Sequence, residues 1–328
     1  MAAAALPSSG ARRARFPRDI PPITELVELC FADVLDYSSR RMLRDVRTVA
    51  QWGRAAWSLS RMLGAVNPEE WLLASVWEEE GRIVGNATLT RRLPEAHAWL
   101  VSNVAVHPEY RGRGIAGGLI RHALEEIRRR GGRNVYLQVD ASNEAAVRIY
   151  RGLGFEEIAR RTTWLRAREE SRTPAPDEPA SACRVSRRTP AEWMEEYAFW
   201  REISPDGTAW NSPLTEKRFH PSLCQWLERM LEGESEAHFL ARCGPRVEGA
   251  LAAYRRYSGW EGVLIQREGS EGRVEGPLLD AAGKAFPRER SVLLETTPEA
   301  SVGLLVQLGF QKRRTFIWMR YTFSGGAP

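Results

Sequence analysis

The feature of this 328-residue chain that most limits its fold is that it nearly repeats itself. "GRIVGNATLTRR" (81–92) matches "PRVEGALAAYRR" (245–256), with Gly85 facing Gly249 and Arg91 and Arg92 facing Arg255 and Arg256. "NVAVHPEYRGRGIAGGL" (103–119) aligns without a gap to "GVLIQREGSEGRVEGPL" (262–278), and "AAVRIYRGLGF" (145–155) to "ASVGLLVQLGF" (300–310). Two long copies predict the same supersecondary order twice: strand, helix or helices, hairpin, long strand, glycine loop, helix, strand, short helix, and a last strand after Gly-Phe. Strands and helices mixed in this order pack in layers, giving an α/β (α+β) protein of two domains.

The boundary is legible in composition. "RAREESRTPAPDEPASAC" (166–183) carries three prolines and several charges with almost nothing to bury, which marks a linker over 167–182. The expected layout is a loose tail over 1–11, a first domain over 12–166 and a second over 183–323. Both domains open alike. "RARFPRDIPPITELVELCF" reads as a strand, an Asp19 helix cap, prolines in the first turn and an amphipathic helix, and "ACRVSRRTPAEWMEEYAFW" has Thr189 as the cap with Pro190 behind it. The helix expected over 115–132 puts Ile115, Leu119, Ala123 and Ile127 on one face and stops at two glycines.

The start lacks a basic segment before a long apolar core, and no apolar run is long enough to span a membrane, so the expectation is a cytoplasmic protein with no membrane partner. Cys30, Cys183, Cys224 and Cys243 are scattered without a CxxC pair or clustered histidines. They read as free thiols, with no metal site and no disulfide framework. The 47 Lys and Arg against 42 Asp and Glu leave a net charge of +5, mostly as dispersed arginines. Without a clustered basic tract this fits a polyanionic small ligand as well as nucleic acid, and no nucleic-acid partner is expected.

The chemistry concentrates in "YRGRGIAGGL" (110–119), between the strand "WLVSNVAV" (99–106) and a helix. Glycines there bare the main chain, and the N–H groups of 111–117 lie where a helix N-terminus receives phosphate, with Arg111 and Arg113 adding full charges. The lysine and hydroxyl of a nucleotide-triphosphatase loop are missing, and a strand that follows a hairpin is the wrong setting for a dinucleotide fingerprint. The stretch resembles the acyl-coenzyme A signature [RQ]xxGx[GA] of the GNAT acyltransferase superfamily, at Arg111, Gly114 and Ala116. The likeness extends from "NVAVHPEYRG" to "VDASNEAAVRIYRGLGF", with Asn143, Tyr150 and the Gly154-Phe155 pair at the family's places.

The resemblance implies two tandem GNAT-like domains, each a mixed, mostly antiparallel twisted sheet flanked by helices. It further implies that the main chain of Val104, Ala105 and Val106 pairs with the pantetheine arm of acetyl-CoA. Arg111, Gly112, Arg113, Gly114, Ile115, Ala116 and Gly117 would cradle the pyrophosphate. Asn143 would bond the pantetheine region, and Tyr150 would bind near the cofactor sulfur and protonate the leaving thiolate. A phenol suits that task because an amine attacking a thioester expels a thiolate, although Tyr150 packed on a helix face remains the plainer alternative. No metal is needed.

The general base stays open among Glu109, His107, Asp140, His97 and Glu95. The acceptor pocket is expected from roughly residues 30–70, which include Tyr37, Trp52 and Trp57. In the second half Arg111 faces Ser270, Gly114 faces Arg273, Ala116 faces Glu275, Asn143 faces Pro298 and Tyr150 faces Leu305, while Gly309-Phe310, Leu308 and Val302 keep packing positions. A fold without a cofactor site is expected there. The expected activity is N-acetyl transfer from acetyl-CoA to a primary amine of a small molecule, by direct attack in a ternary complex. A peptide or protein amine, or a non-catalytic acyl-CoA sensor, are the alternatives. The chain is expected as a monomer, a pseudo-dimer by its repeat, or as a homodimer.

Overall fold

The computed structural model describes residues 9–32, 47, 73–92, 97–167, 183–204, 219–220, 222, 235–256, 259–286, 291–297 and 300–324. Tyr37, Trp52, Trp57, Glu95, Cys224, Pro298, residues 1–8 of the tail and residues 168–182 of the linker lie outside the described residues. Two compact units form: Met1–Gln138 with Asn143–Glu156 and Met319–Pro328, and Val139–Ser142 with Glu157–Trp318.

In unit 1 the strands β1 (Gly10–Arg13), β2 (Leu73–Glu79), β3 (Arg82–Arg92), β4 (Ala98–Val106) and β5 (Asn134–Asp140) lie in that order. All neighbours are antiparallel except β4 and β5. Glu80 and Gly81, both at positive φ, make the two-residue turn between β2 and β3, whose twist matches that of the strands. Helix α1 (Ile20–Phe31) starts at Asp19 with prolines in its first turn. The Asp19 carboxylate makes no cap bond and instead accepts from Arg12 Nη1 at 2.6 Å and the Arg15 N–H at 2.7 Å. Helix α2 (Ile115–Arg129) buries Ile115, Leu119, Ala123 and Ile127 as their spacing predicts, together with Ile120 and Leu124. Helix α3 (Glu144–Gly152) follows β5 and packs against α2.

Unit 2 orders its strands β12 (Gln311–Thr322), β6 (Glu156–Arg166), β11 (Ser291–Thr296), β10 (Gly259–Gln266), β9 (Arg246–Arg256), β8 (Glu236–Cys243) and β7 (Cys183–Arg187). Its helices are α4 (Trp193–Ile203), α5 (Glu275–Ala285) and α6 (Val302–Gln307). Ahead of α4, Thr189 and Glu192 form a reciprocal capping box around a 3-10 turn. Behind the sheet, Leu278, Leu279, Ala282, Leu305 and Phe310 join one core cluster.

Besides the Asp19 cap, and the expected tail, whose Gly10 and Ala11 open β1, three expectations are corrected. Cys183 and Cys243 are not free thiols. They sit opposite each other in the antiparallel β7–β8 pair, with Cα atoms 4.1 Å apart, and form a disulfide; a separation of 60 residues leaves no local spacing to signal it. Cys30 is free. Val302 does not pack but is exposed on the outer face of the one-and-a-half-turn α6.

The third correction concerns the repeat, which is not gapless. Val106 pairs with Gly85 and Gln266 with Gly249, and Arg113 and Arg273 each donate from Nη2 to the carbonyl four residues back, so the loops match at one offset. The helix faces match one residue earlier: Ile115 and Leu119 pack on Gly85 as Val274 and Leu278 pack on Gly249. Unit 2 therefore lacks a counterpart of Gly114, and Arg111 corresponds to Glu271 rather than Ser270.

Candidate active site

The site begins with an irregularity in β4. Asn86 pairs with Ala105 and Thr88 with Ser102, so Asn103 and Val104 together oppose the single residue Ala87. This is a β-bulge, and its first residue, Asn103, holds the left-handed conformation at φ 50°. A bulge bends its strand and increases its twist. Consistently, β4 stays beside β5 only through Ala98↔Asn134, Trp99↔Val135 and Leu100↔Tyr136. Past Leu100 the parallel strands part, and the segment containing Val104, Ala105 and Val106 has no β5 partner. Crevices at the carboxyl ends of parallel strands are where open sheets bind ligands.

Two helix N-termini face that opening by topology, because α2 follows β4 and α3 follows β5. Gly112 (φ 77°) and Gly114 (φ 75°) turn the chain, and Gly114 is the N-cap of α2 without a side-chain cap bond. The first N–H groups of α2 are thus left for an external acceptor. Gly118 is bare for another reason: a Cβ there would fall 2.4 Å from the Trp77 ring. Arg111 Nε donates to the Val106 carbonyl at 3.2 Å, and Arg113 lies 4.8 Å from the Tyr110 ring centre. Neither guanidinium is in a salt bridge among the described residues, although Arg113 adds to the hydrogen bonds of Trp77 and Ser9 in lowering the Glu79 pKa, whereas Arg129 and Arg148 on α2 and α3 pair with glutamates. Ile115 is buried over Gly85, so it offers the site its main chain only.

Asn143 caps α3, its Oδ1 accepting from the Ala146 N–H at 3.1 Å, which leaves the exposed side-chain amide as donor. Tyr150 is 6% exposed on the inner face of α3, 6.0 Å from the Phe155 ring. Burial pushes its phenol up to about 12, so it stays protonated throughout the physiological range.

The candidate bases are spread out. Glu109 is exposed, 3.9 Å from His107 Nδ1. Asp140 accepts from the N–H and hydroxyl of Ser142, in the turn role its position suggests, and meets Arg314 Nε at 3.0 Å. His97 Nδ1 lies 2.9 Å from the Gly131 carbonyl. Sequence reasoning assigned no part to Cys30, whose thiol donates to the Val106 carbonyl at 3.4 Å. Burial pushes that thiol up against the opposing pull of Arg111. Only the α1–β4 packing reveals it.

Residues 33–155 match the Acetyltransferase (GNAT) family. This part of the chain belongs to that family. Similar curated proteins include the [Ribosomal protein bS18]-alanine N-acetyltransferase of Escherichia coli (strain K12), 39% identical over 62 residues, which are 19% of this chain and 42% of that protein. The N-alpha-acetyltransferase RimI of Mycobacterium tuberculosis is 38% identical over 88 residues, 26% of this chain and 53% of that protein. The chain thus spans about half, or less, of the length of these relatives. Over the whole chain the fold resembles the crystal structure of a GCN5-related N-acetyltransferase from Sphaerobacter thermophilus, with TM-score 0.59, 18% identity and 97% of each chain covered.

Unit 2 differs from unit 1 at the corresponding places. β9 and β10 pair through eight unbroken positions, with no bulge, and β10 stays beside β11 for six pairs, from Gly259↔Ser291 to Leu264↔Thr296. The outer bulge survives at the equivalent place, Trp77/Glu78 in β2 and Ala241/Arg242 in β8. Where Ala116 stands in α2, α5 has Glu275. Its fully buried Oε1 accepts from Gln266 Nε2 at 3.1 Å and from the Ser301 N–H at 2.8 Å. One carboxylate joins the end of β10 to the starts of α5 and α6.

Proposed function

We propose that this chain is an acetyl-CoA-dependent N-acetyltransferase acting on a primary amine, with residues 12–166 as the catalytic domain and 183–323 as a non-catalytic copy. The observation that carries this is the parting of β4 from β5 at Leu100, with an uncapped helix N-terminus at its mouth. The residues fit the cofactor. Val104, Ala105 and Val106 offer main-chain groups to an extended amide-bearing arm. Gly112–Gly117 amides with Arg111 and Arg113 offer donors and charge to a pyrophosphate, and the Asn143 amide supplies one further donor.

When bound, acetyl-CoA supplies the activated thioester carbonyl. The protein's part is to hold that carbonyl against the amine in a ternary complex, where proximity and orientation lower the barrier. Tyr150 keeps its proton because burial disfavours the phenolate, and its O–H would donate a hydrogen bond to the departing thiolate, which takes up the proton that the attacking amine loses. The first acceptor reading is a small-molecule amine. The second is the α-amine of a protein, favoured by the names of the two curated relatives.

Release of free thiol from acetyl-CoA, measured against small amines and against peptides with free N-termini, tests the reading. Turnover is expected with one class, and Tyr150→Phe is expected to lower kcat by about a hundredfold with little change in KM for acetyl-CoA. Binding without turnover on any amine would replace the enzyme by a sensor. Unchanged kcat in Tyr150→Phe would remove the tyrosine's assignment.

A further inference from the structure

We propose that Asn86, a β3 residue outside the family signature, is a positioning residue that holds the bulge in β4 and thereby keeps the acetyl-CoA crevice open; the inference rests on the function proposed above. Asn86 is fully buried. Its Nδ2 donates to the Asn103 carbonyl at 2.9 Å and to Thr88 Oγ1 at 3.2 Å. A carbonyl can only accept, so the amide nitrogen must face Asn103, which fixes the orientation of the side chain. Its Oδ1 is then left buried without a hydrogen-bond partner among the described residues.

A buried acceptor without a partner is costly, and φ 50° is a backbone region that asparagine tolerates better than most residues but less well than glycine. The two costs sit on the two ends of one hydrogen bond. An amide that leaves its own oxygen unsatisfied in order to hold the bulge carbonyl is poorly explained by packing alone. It is well explained if the bulge itself is needed.

Unit 2 is the built-in comparison. Gly85 and Gly249 occupy matching places, each under the first turn of the following helix, so the next residue, Asn86, corresponds to Ala250. With alanine there, Ala250 pairs directly with Ile265, the ladder is regular, and β10 does not part from β11. Amide, bulge and parting are present together in one copy and absent together in the other. The bulge residues precede Val104, Ala105 and Val106, so releasing it would shift these three main-chain units by one position and turn their N–H and C=O groups away from the crevice.

The test measures acetyl-CoA affinity by calorimetry for the full chain and for Asn86→Ala, Val84→Ala and Asn86→Ala/Asn103→Gly. Val84 is buried in the same strand but its side chain is not bonded to the bulge. Asn86→Ala is expected to weaken binding about tenfold or more, and Val84→Ala to leave it within about threefold while lowering the unfolding temperature. Glycine takes φ 50° freely, so Asn103→Gly added to Asn86→Ala is expected to restore much of the lost affinity. A merely structural loss would not be restored in this way. Wild-type affinity in Asn86→Ala, or no recovery in the double variant, overturns the proposal. Should Asn86→Ala alone fold poorly, the double variant is compared with Asn103→Gly: equal affinity sustains the proposal, and affinity as weak as a non-binding protein overturns it. If the wild-type chain binds no acetyl-CoA, the functional reading fails and takes this inference with it.

Discussion

Replacing Glu275 by alanine should unfold unit 2 at a markedly lower temperature, and replacing it by glutamine should not. The carboxylate is fully buried and accepts from two donors, Gln266 Nε2 at 3.1 Å and the Ser301 N–H at 2.8 Å. Alanine strips the acceptor from both. A buried donor left unsatisfied costs about 1–3 kcal/mol, and the removed atoms leave a void at a fully buried position. Against this, Oε2 has no hydrogen-bond partner among the described residues, so removing the group also relieves part of its burial cost. The net loss comes to about 2–4 kcal/mol. For a unit of this size each kcal/mol shifts Tm by about 2–4 °C, so the drop should be about 4–16 °C. Glutamine keeps an oxygen for both donors in a side chain of the same shape, which should hold Tm within about 3 °C. Scanning calorimetry of the full chain, following the transition assigned to unit 2, decides it. A neutral Glu275→Ala, or a Glu275→Gln as damaging as alanine, would refute the reasoning. Neither variant should bind acetyl-CoA in unit 2, because β10 and β11 remain paired through six positions.

Deleting Gly114, which imposes on unit 1 the shorter loop of unit 2, should abolish measurable acetyl-CoA binding while the far-ultraviolet dichroism stays native, since the turn before α2 loses one of its two left-handed residues. Retained affinity would place the phosphate contacts elsewhere. His238 lies between Glu196 at 2.6 Å and Glu236 at 2.9 Å. Burial alone would lower its pKa, but the two carboxylates outweigh burial and raise it. The folded state therefore keeps a proton that the unfolded chain releases near its ordinary value of about 6.5. The stabilisation is full below that pH and fades as pH rises through the higher folded value. Unfolding midpoints should fall from pH 6 towards pH 9 for the wild type and fall less for His238→Gln; parallel profiles would refute the sign.

Much of the architecture was legible because it is written in packing residues. Ile115, Leu119, Ala123 and Ile127 announce α2 by spacing, and Gly154-Phe155 and Gly309-Phe310 announce the turn into each last strand through the same hydrogen bonds. The glycine loop, Asn143 and Tyr150 form a joint pattern in the sequence, and their roles rest on the function proposed above. The Cys183–Cys243 bond, the β4 bulge and the Asn86 tether were not legible. Each is a relation between residues on neighbouring strands, and strand register is set by pairing over the whole sheet rather than by any short segment. The missing counterpart of Gly114 was hidden for a related reason. One deleted residue in a loop is invisible to a gapless match when both flanks are apolar enough to align either way.

That deletion changes how the two copies are compared. A gapless match makes the difference between the units a matter of substituted side chains, with Arg273 in place of Gly114. The structure instead makes it a change of backbone: one turn residue fewer before the helix, a bulge absent from the central strand, and a parallel pair that stays closed. Side-chain substitutions can be reversed one at a time, but these three changes act on the same opening and support one another. A regular β10 keeps its pairing with β11, and a paired β11 brings the start of α6 to Glu275, whose carboxylate then ties it to α5 and β10. On the function proposed above, building a cofactor site in unit 2 would therefore require the bulge first, and without it neither an arginine at 271 nor an alanine at 275 has a crevice to serve.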